Sequence, residues 1–135
     1  SNMSTEYFLS GNPVEMPANC AVNDTFTMGT TGLTTSPTAT ASYQRLANHV
    51  LLSIPALSGT SNSTSFTLTG LPAAIRPSVA RNVSHVQVTN LAGLVLGSAT
   101  INTDGTITLS AGLLGVVFSA ILGKGVSAQE ISWLA

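Results

Sequence analysis

The sequence has little charge, and this absence excludes whole classes of partner. Charged residues make up 7% of its 135 residues, against about 25% in an average soluble protein. Serine and threonine take their place, with 35 residues together. Because the net charge is only −1, nothing attracts nucleic acid or anionic lipid, and we expect neither partner. Such a polar, nearly uncharged surface suits close contact with other subunits or with neutral sugars.

Cysteine and long apolar runs are also scarce. Cys20 is the only cysteine, so no disulfide can form within the chain, which fits folding in a reducing cytoplasm. The longest apolar run, residues 111–122, contains two glycines and is shorter than the roughly 20 residues that a membrane-spanning helix needs. We therefore expect no membrane insertion, and the length suits a single domain.

The chain divides into two parts that differ in composition and in the period of their apolar residues. Residues 3–41 are rich in threonine, proline, glycine and asparagine and show no sustained apolar period, which predicts an extended N-terminal arm or linker. From Tyr43 onward the apolar period is close to two, with many β-branched residues, which indicates short antiparallel strands. We therefore place a head domain at residues 42–135.

Turn signals and alternation predict the strands of this head domain. Ala47-Asn48 and Asp104-Gly105 are the expected hairpin turns, and Phe66 shares a face with Leu68. In residues 82–90 the alternation puts Ser84 on the same face as Val86 and Val88. We also expect a strand at residues 116–122, a loop at 123–129 and a last strand at 130–134.

About seven or eight such strands with no amphipathic helix between them predict an all-β fold. A single small sheet would leave one apolar face in water, so two packed antiparallel sheets in a β-sandwich, similar to a jelly roll, are expected. Because few charged residues lie along them, the sheet edges would be free to pair with strands of other molecules. Association with other copies of the chain would cover these edges.

Four segments in fixed order resemble a family of phage domains. They are YQRLANHVLLSI (residues 43–54), TSFTLTGLPAAIRPS (64–78), NTDGTITL (102–109) and GKGVSAQEISWL (123–134). This order resembles the small C-terminal head domains of phage tail fibres and tailspikes, over residues 42–135. The resemblance implies a homotrimeric β-sandwich, somewhat like the heads of complement C1q or tumour necrosis factor. It also implies a place in the virion beside other virion proteins, and host adsorption, often through cell-surface carbohydrate.

Arg76 is held between two proline-containing turns. Gly70 and Pro72 end the preceding strand, and Pro77 biases Arg76 to an extended backbone. We expect the guanidinium of Arg76 to donate hydrogen bonds to backbone carbonyls or to a carboxylate near a sheet end. The alternative is a role in ligand binding.

The sequence offers no convincing catalytic or metal site, so we expect a protein that is not an enzyme and has no cofactor. No pattern brings two of the five acids together, and no Gly-x-Ser-x-Gly elbow is present. His49 and His85 have no ligand-like spacing, although three copies of one histidine could meet on a trimer axis. Residues 123–125, Gly-Lys-Gly, lack the strand and helix context of a phosphate loop. The acids are Glu6, Glu15, Asp24, Asp104 and Glu130.

Polar loops are the better candidates for recognition, since loops on a rigid β scaffold commonly carry function. Trp133 and Tyr43 could stack on sugar rings, but a core or inter-subunit position is favoured for Trp133, which lies in a predicted strand. The leading hypothesis is a fibre or spike head that recognises a host-surface carbohydrate. The alternatives are a purely structural trimerisation, capping or decoration module, and a small glycan-active enzyme. The candidate ligand-binding residues, suited to hydroxyl-rich ligands, are Asn62, Ser63, Arg81, Asn82, Lys124 and Gln129.

Overall fold

The chain forms twelve β-strands and one short 3-10 turn in the part that the structure describes. The structure is a computed structural model that describes the backbone of residues 6–9 and 12–15 and all of residues 21–135. The strands are β1 (Glu6–Leu9), β2 (Asn12–Glu15), β3 (Ala21–Thr31), β4 (Ala39–Leu46), β5 (His49–Ile54), β6 (Leu57–Thr60), β7 (Thr67–Thr69), β8 (Arg81–Asn90), β9 (Gly93–Ile101), β10 (Ile107–Ser110), β11 (Gly123–Val126) and β12 (Gln129–Leu134). The predicted all-β, antiparallel class is confirmed.

Ten of these strands form one curled antiparallel sheet, and β1 and β2 form a separate hairpin. The order in the large sheet is β12-β5-β4-β3-β7-β10-β9-β8-β11-β6. Because the sheet curls, its inner faces enclose one core in a β-sandwich similar to a jelly roll, as predicted. No helix in the described part of the chain is long and apolar enough to cross a bilayer.

Seven strands of the sheet, from β3 through β7 to β6, close into a ring. The end of β6 returns to the segment that follows β3, where Leu33 and Ser61 form a β-bridge. On either side of this bridge the Thr34 N–H donates to the Thr60 carbonyl at 2.9 Å, and the Asn62 N–H donates to the Gly32 carbonyl at 3.1 Å. This seam pairs a sheet edge that would otherwise present unpaired backbone groups.

Strand β3 joins this ring to the remaining three strands, β4, β5 and β12. Residues 21–28 pair with β4, and residues 29–31 pair with β7. The large sheet therefore begins at Ala21, within the predicted arm of residues 3–41, and the predicted boundary at residue 42 does not coincide with a sheet end. Periodicity did not reveal β3 because its N-terminal part carries exposed polar side chains on both faces. Residues 3–5, 10–11 and 16–20 of the predicted arm lie outside the described residues.

The core is one cluster of buried apolar side chains to which all ten strands of the large sheet contribute. Phe66 and Leu68 have no exposed surface, which confirms their predicted shared face. Trp133 is also buried, and its indole Nε1 donates to the Ile75 carbonyl at 2.9 Å. The predicted core position of Trp133 is therefore confirmed.

Both predicted hairpin turns are present. Ala47 has φ 54° between β4 and β5, and Gly105 has φ 94° between β9 and β10. The Asp104 carboxylate accepts hydrogen bonds from the Thr106 hydroxyl and N–H. These two bonds hold the pKa of Asp104 below its ordinary value.

Arg76 lies against this second hairpin. Its Nε donates to the Leu71 carbonyl at 2.8 Å, and its backbone is extended. A Cβ atom added to Gly105 would lie 2.7 Å from the Nε of Arg76. The predicted contact with a backbone carbonyl near a sheet end is confirmed.

Three local predictions are wrong. Residues 116–122 form no strand, and residues 123–126, predicted as a loop, form β11 between β8 and β6. Glycine lowers strand propensity, yet β11 needs it because a Cβ atom on Gly125 would lie 2.7 Å from the Leu57 carbonyl oxygen. In β8 a bulge at His85, with φ 61°, shifts the register. Ser84 is consequently exposed, whereas Val86 and Val88 are buried.

Candidate functional site

The outward face of strands β3, β4, β5 and β12 carries two rows of mostly polar side chains. One row runs Thr25, Ser42, Ser53 and Glu130 in register across the four strands, and the second runs Asn23, Gln44, Leu51 and Ser132. Adjacent strands lie about 4.8 Å apart, so each row spans roughly 14 Å. Side chains alternate between the faces of a strand, so Leu52 and Ile131, which lie between the rows, face the core.

These rows line a groove of about 530 Å³, here called the polar groove. This volume is within the range of small-molecule sites, about 300–1,000 Å³. The Ser53 hydroxyl donates to Oε2 of Glu130 at 3.3 Å, and Oδ1 of Asp24 accepts the Thr25 N–H at 2.8 Å. The lining residues are Asn23, Asp24, Thr25, Ser42, Tyr43, Gln44, Leu51, Ser53 and Glu130.

The chemistry of the polar groove suits a hydroxyl-rich ligand. Hydroxyl and amide side chains can donate and accept hydrogen bonds, and carboxylates accept two or more. Leu51 is 40% exposed and offers an apolar patch among these polar groups. Within the described residues no group of three or more His, Cys, Asp or Glu side chains is arranged to hold a metal ion.

The residues predicted to bind a ligand do not form one site. Asn62 and Ser63 follow the seam of the ring, Arg81 and Asn82 begin β8, and Gln129 begins β12. Arg81 donates from Nε to the Leu134 carbonyl at 3.1 Å, and Oδ1 of Asn82 accepts from the Thr100 hydroxyl at 3.1 Å. The side-chain amide of Gln129 bonds both the N–H and the carbonyl of Gln87. A ligand role for these five residues stays a prediction.

Lys124, the sixth of these residues, is buried, which corrects its predicted loop position. It lies in β11 with no exposed surface. Its Nζ donates to the carbonyls of Ser63 and Ser65, both at 2.7 Å. The ammonium also lies 5.4 Å and 5.6 Å from the ring centroids of Phe66 and Phe118, within cation–π range. Burial lowers the pKa of Lys124, and its ligand role, like that of the other five residues, stays a prediction.

A second surface of the domain is strongly apolar. Its side chains are each 46–84% exposed and come from the β8–β9 turn, from β9 and from residues 113–122. Hydrogen bonds from Ala92 to Gly123 and from Ser119 to Asn90 join the two segments. An adjoining cleft of about 820 Å³ is lined by Leu96, Leu113 and Leu114 together with His85. This apolar surface comprises Leu91, Leu94, Leu96, Leu113, Leu114, Val116, Val117, Ile121 and Leu122.

The sequence pointed to neither surface. The polar groove combines side chains from four segments that are distant in sequence, and only the strand register brings them together. The one available signal was the alternation of polar residues at 42, 44 and 53 with core residues. The apolar residues 116–122 predict a strand, and this prediction hid their exposure.

Comparison with known proteins relates this chain to a viral attachment protein through its fold. No protein-family model matches the chain, and no curated protein matches its sequence. A matching solved structure is that of the reovirus attachment protein sigma1 in complex with alpha-2,3-sialyllactose. The TM-score is 0.53 at 12% sequence identity, and the match covers 100% of this chain and 80% of that chain. The two proteins share a β-rich fold.

Proposed function

We propose that the protein is a receptor-binding domain of a virion that attaches to a host-surface glycan without catalysis. More specifically, it is the head domain of a phage tail fibre or tailspike and assembles as a homotrimer beside other virion proteins. The observation that carries this proposal is the polar groove, because its hydroxyl, amide and carboxylate groups match a sugar. The fold shared with a viral attachment protein supports it.

A groove-filling variant tests the location of glycan binding. Ser42 is exposed in the middle of a groove row, and tryptophan is well tolerated in strands. We therefore expect Ser42→Trp to remain folded and to lose at least about tenfold in affinity, since several hydrogen bonds of about 1 kcal/mol each are blocked. The measurement is binding to a glycan array, followed by titration with each glycan that gives a signal.

Thr40→Trp is the matched control for this variant. Thr40 is exposed on the same strand and the same face, but it does not line the polar groove. Its affinity should stay within about twofold of the wild type. If the folded wild-type protein binds no glycan, the attachment proposal is wrong. Release of reducing ends from a bound polysaccharide would instead favour a glycan-active enzyme.

The apolar surface supports the homotrimer and also favours the second candidate function, a purely structural trimerisation, capping or decoration module. Patches of this size on soluble proteins commonly mark interfaces. Within the described residues no lysine, arginine, aspartate or glutamate belongs to the apolar surface, so two copies can approach without charge repulsion. Its nine side chains offer on the order of 500 Å² of apolar area. This area is more than half of the about 800 Å² that each partner buries in a stable interface.

Light scattering is expected to give the mass of three chains for the wild type. The double variant Leu94→Asp and Leu113→Asp should give the mass of one chain with an unchanged β circular dichroism spectrum. Both side chains are mostly exposed, at 66% and 84%, so the substitutions place charge on the surface rather than in the core. Val79→Asp is the control, because Val79 is 61% exposed but lies outside the apolar surface. A wild-type monomer would contradict the trimer.

A further inference from the structure

All four basic residues of the chain are turned away from the polar groove. None of them lines it, and each donates to a backbone carbonyl. The acceptors are Ala47 and Ala74 for Arg45, Leu71 for Arg76, Leu134 for Arg81, and Ser63 and Ser65 for Lys124. Neither histidine lines the groove. A carboxylate or phosphate bound in the groove would therefore find no positive side chain.

The one charged side chain in the two rows of the polar groove is acidic. Glu130 lies on the edge strand β12, in the same row as Ser53 and Ser42, and it is exposed. Asp24 also lines the groove, but it lies between Asn23 and Thr25 and pairs with Tyr43, so its side chain points to the opposite face of β3. The fixed charge of the groove is therefore the negative charge of Glu130.

The Glu130 carboxylate discriminates between classes of sugar. A carboxylate accepts hydrogen bonds from sugar hydroxyls, and such charge-assisted bonds are about twice as strong as neutral ones. The same carboxylate repels the carboxylate of an acidic sugar. At about 4 Å in water, this repulsion weakens binding roughly fivefold. The groove carboxylate therefore favours uncharged or amino sugars over acidic ones.

We infer that the polar groove selects glycans without acidic sugars and rejects sialylated ones. This inference rests on the proposed function and adds the class of ligand to it. Hydroxyl donors such as Ser42 and Ser53 serve a neutral glycan, and Glu130 accepts from its hydroxyls. The selectivity is opposite to what the sialyllactose in the complex of sigma1 would suggest by analogy.

An array of matched pairs tests this selectivity. Each pair holds a neutral core, such as lactose, and the same core with alpha-2,3-linked sialic acid. We expect signals on neutral cores and about fivefold weaker binding to the sialylated member of the same pair. Titration at pH 7.5, at low and at high salt, should show that the difference shrinks as salt screens the carboxylates.

The isosteric variant Glu130→Gln removes the groove charge. Binding to neutral cores should weaken about fivefold, because a charge-assisted hydrogen bond becomes a neutral one. The ratio between neutral and sialylated binding should fall towards one. Asp104→Asn is the matched control, since it removes an exposed carboxylate at a hairpin turn that does not line the groove, and it should leave the ratio unchanged.

The outcomes separate this inference from the function on which it rests. Equal or tighter binding of sialylated glycans overturns the selectivity and leaves glycan attachment standing. An unchanged ratio in Glu130→Gln overturns the role of Glu130. A folded protein that binds no member of any pair contradicts glycan attachment itself.

Discussion

Replacing Lys124 by alanine is expected to lower the free energy of unfolding by about 4 kcal/mol. The substitution empties the space of a long, fully buried side chain in β11. It also leaves the carbonyls of Ser63 and Ser65 without their donor, and Phe66 and Phe118 lose the ammonium between them. Urea unfolding followed by circular dichroism measures the change. Thr103→Ala, in an exposed turn, is the control and should stay within about 0.5 kcal/mol.

Lys124→Met separates packing from hydrogen bonding at this position. Methionine fills most of the space but cannot donate to the two carbonyls, so the expected loss is smaller, about 1–2 kcal/mol. Equal losses for Met and Ala would show that packing around Lys124 contributes little.

The pH dependence of stability gives a second readout of Lys124. Burial lowers the pKa of Lys124 in the folded state from the ordinary 10.5. The unfolded chain therefore binds more protons in the interval between the two pKa values, and stability rises with pH there. Below the folded-state pKa both states are protonated and this contribution is flat. Lys124→Met should remove the rise, and a rise that persists in this variant would belong to another group.

Gly32→Ala is expected to destabilise the domain by about 4 kcal/mol or more, among the largest effects of a single substitution. Gly32 has φ 93°, and an added Cβ atom would lie 2.1 Å from the Ser65 carbonyl oxygen and 2.9 Å from Nζ of Lys124. The backbone would have to move at the seam of the ring. Thermal unfolding and urea unfolding both measure the loss.

Gly115→Ala is a closely matched control for Gly32→Ala. Its φ is 90°, but an added Cβ atom would meet no atom within 4 Å. Only the conformational cost of a left-handed alanine applies, about 1–2 kcal/mol. The difference between the two variants isolates the steric clash. If both variants lose the same amount, the close packing of Gly32, Ser65 and Lys124 does not hold the seam.

The fold class was predictable because much of its information is local. Asp104-Gly105 and Ala47-Asn48 identify hairpins through turn chemistry alone, and the alternation around Phe66 identifies a buried face. The sequence did not predict strand β11, because its Gly-Lys-Gly segment has a low strand propensity. This segment pairs because β6 approaches its backbone closely. The bulge at His85 was not predictable, because one extra residue moves the side chains that follow to the other face of the strand without changing the composition.

The polar groove could not be predicted from the sequence for a different reason. Its rows depend on the register of four strands, and one of these, β3, looked like part of an irregular arm. The prediction that Lys124 binds a ligand treated a rare positive charge as exposed. In this chain the four basic side chains donate hydrogen bonds to backbone carbonyls. The rarity of basic residues therefore indicated a structural role for them.

The position of β3 determines how the domain carries mechanical load. A pull on the backbone at Ala21 enters a strand of 11 residues that is hydrogen-bonded to β4 along one part and to β7 along the next. The force therefore loads many hydrogen bonds of β3 at once in shear. A pull on an edge strand would instead break its hydrogen bonds one after another.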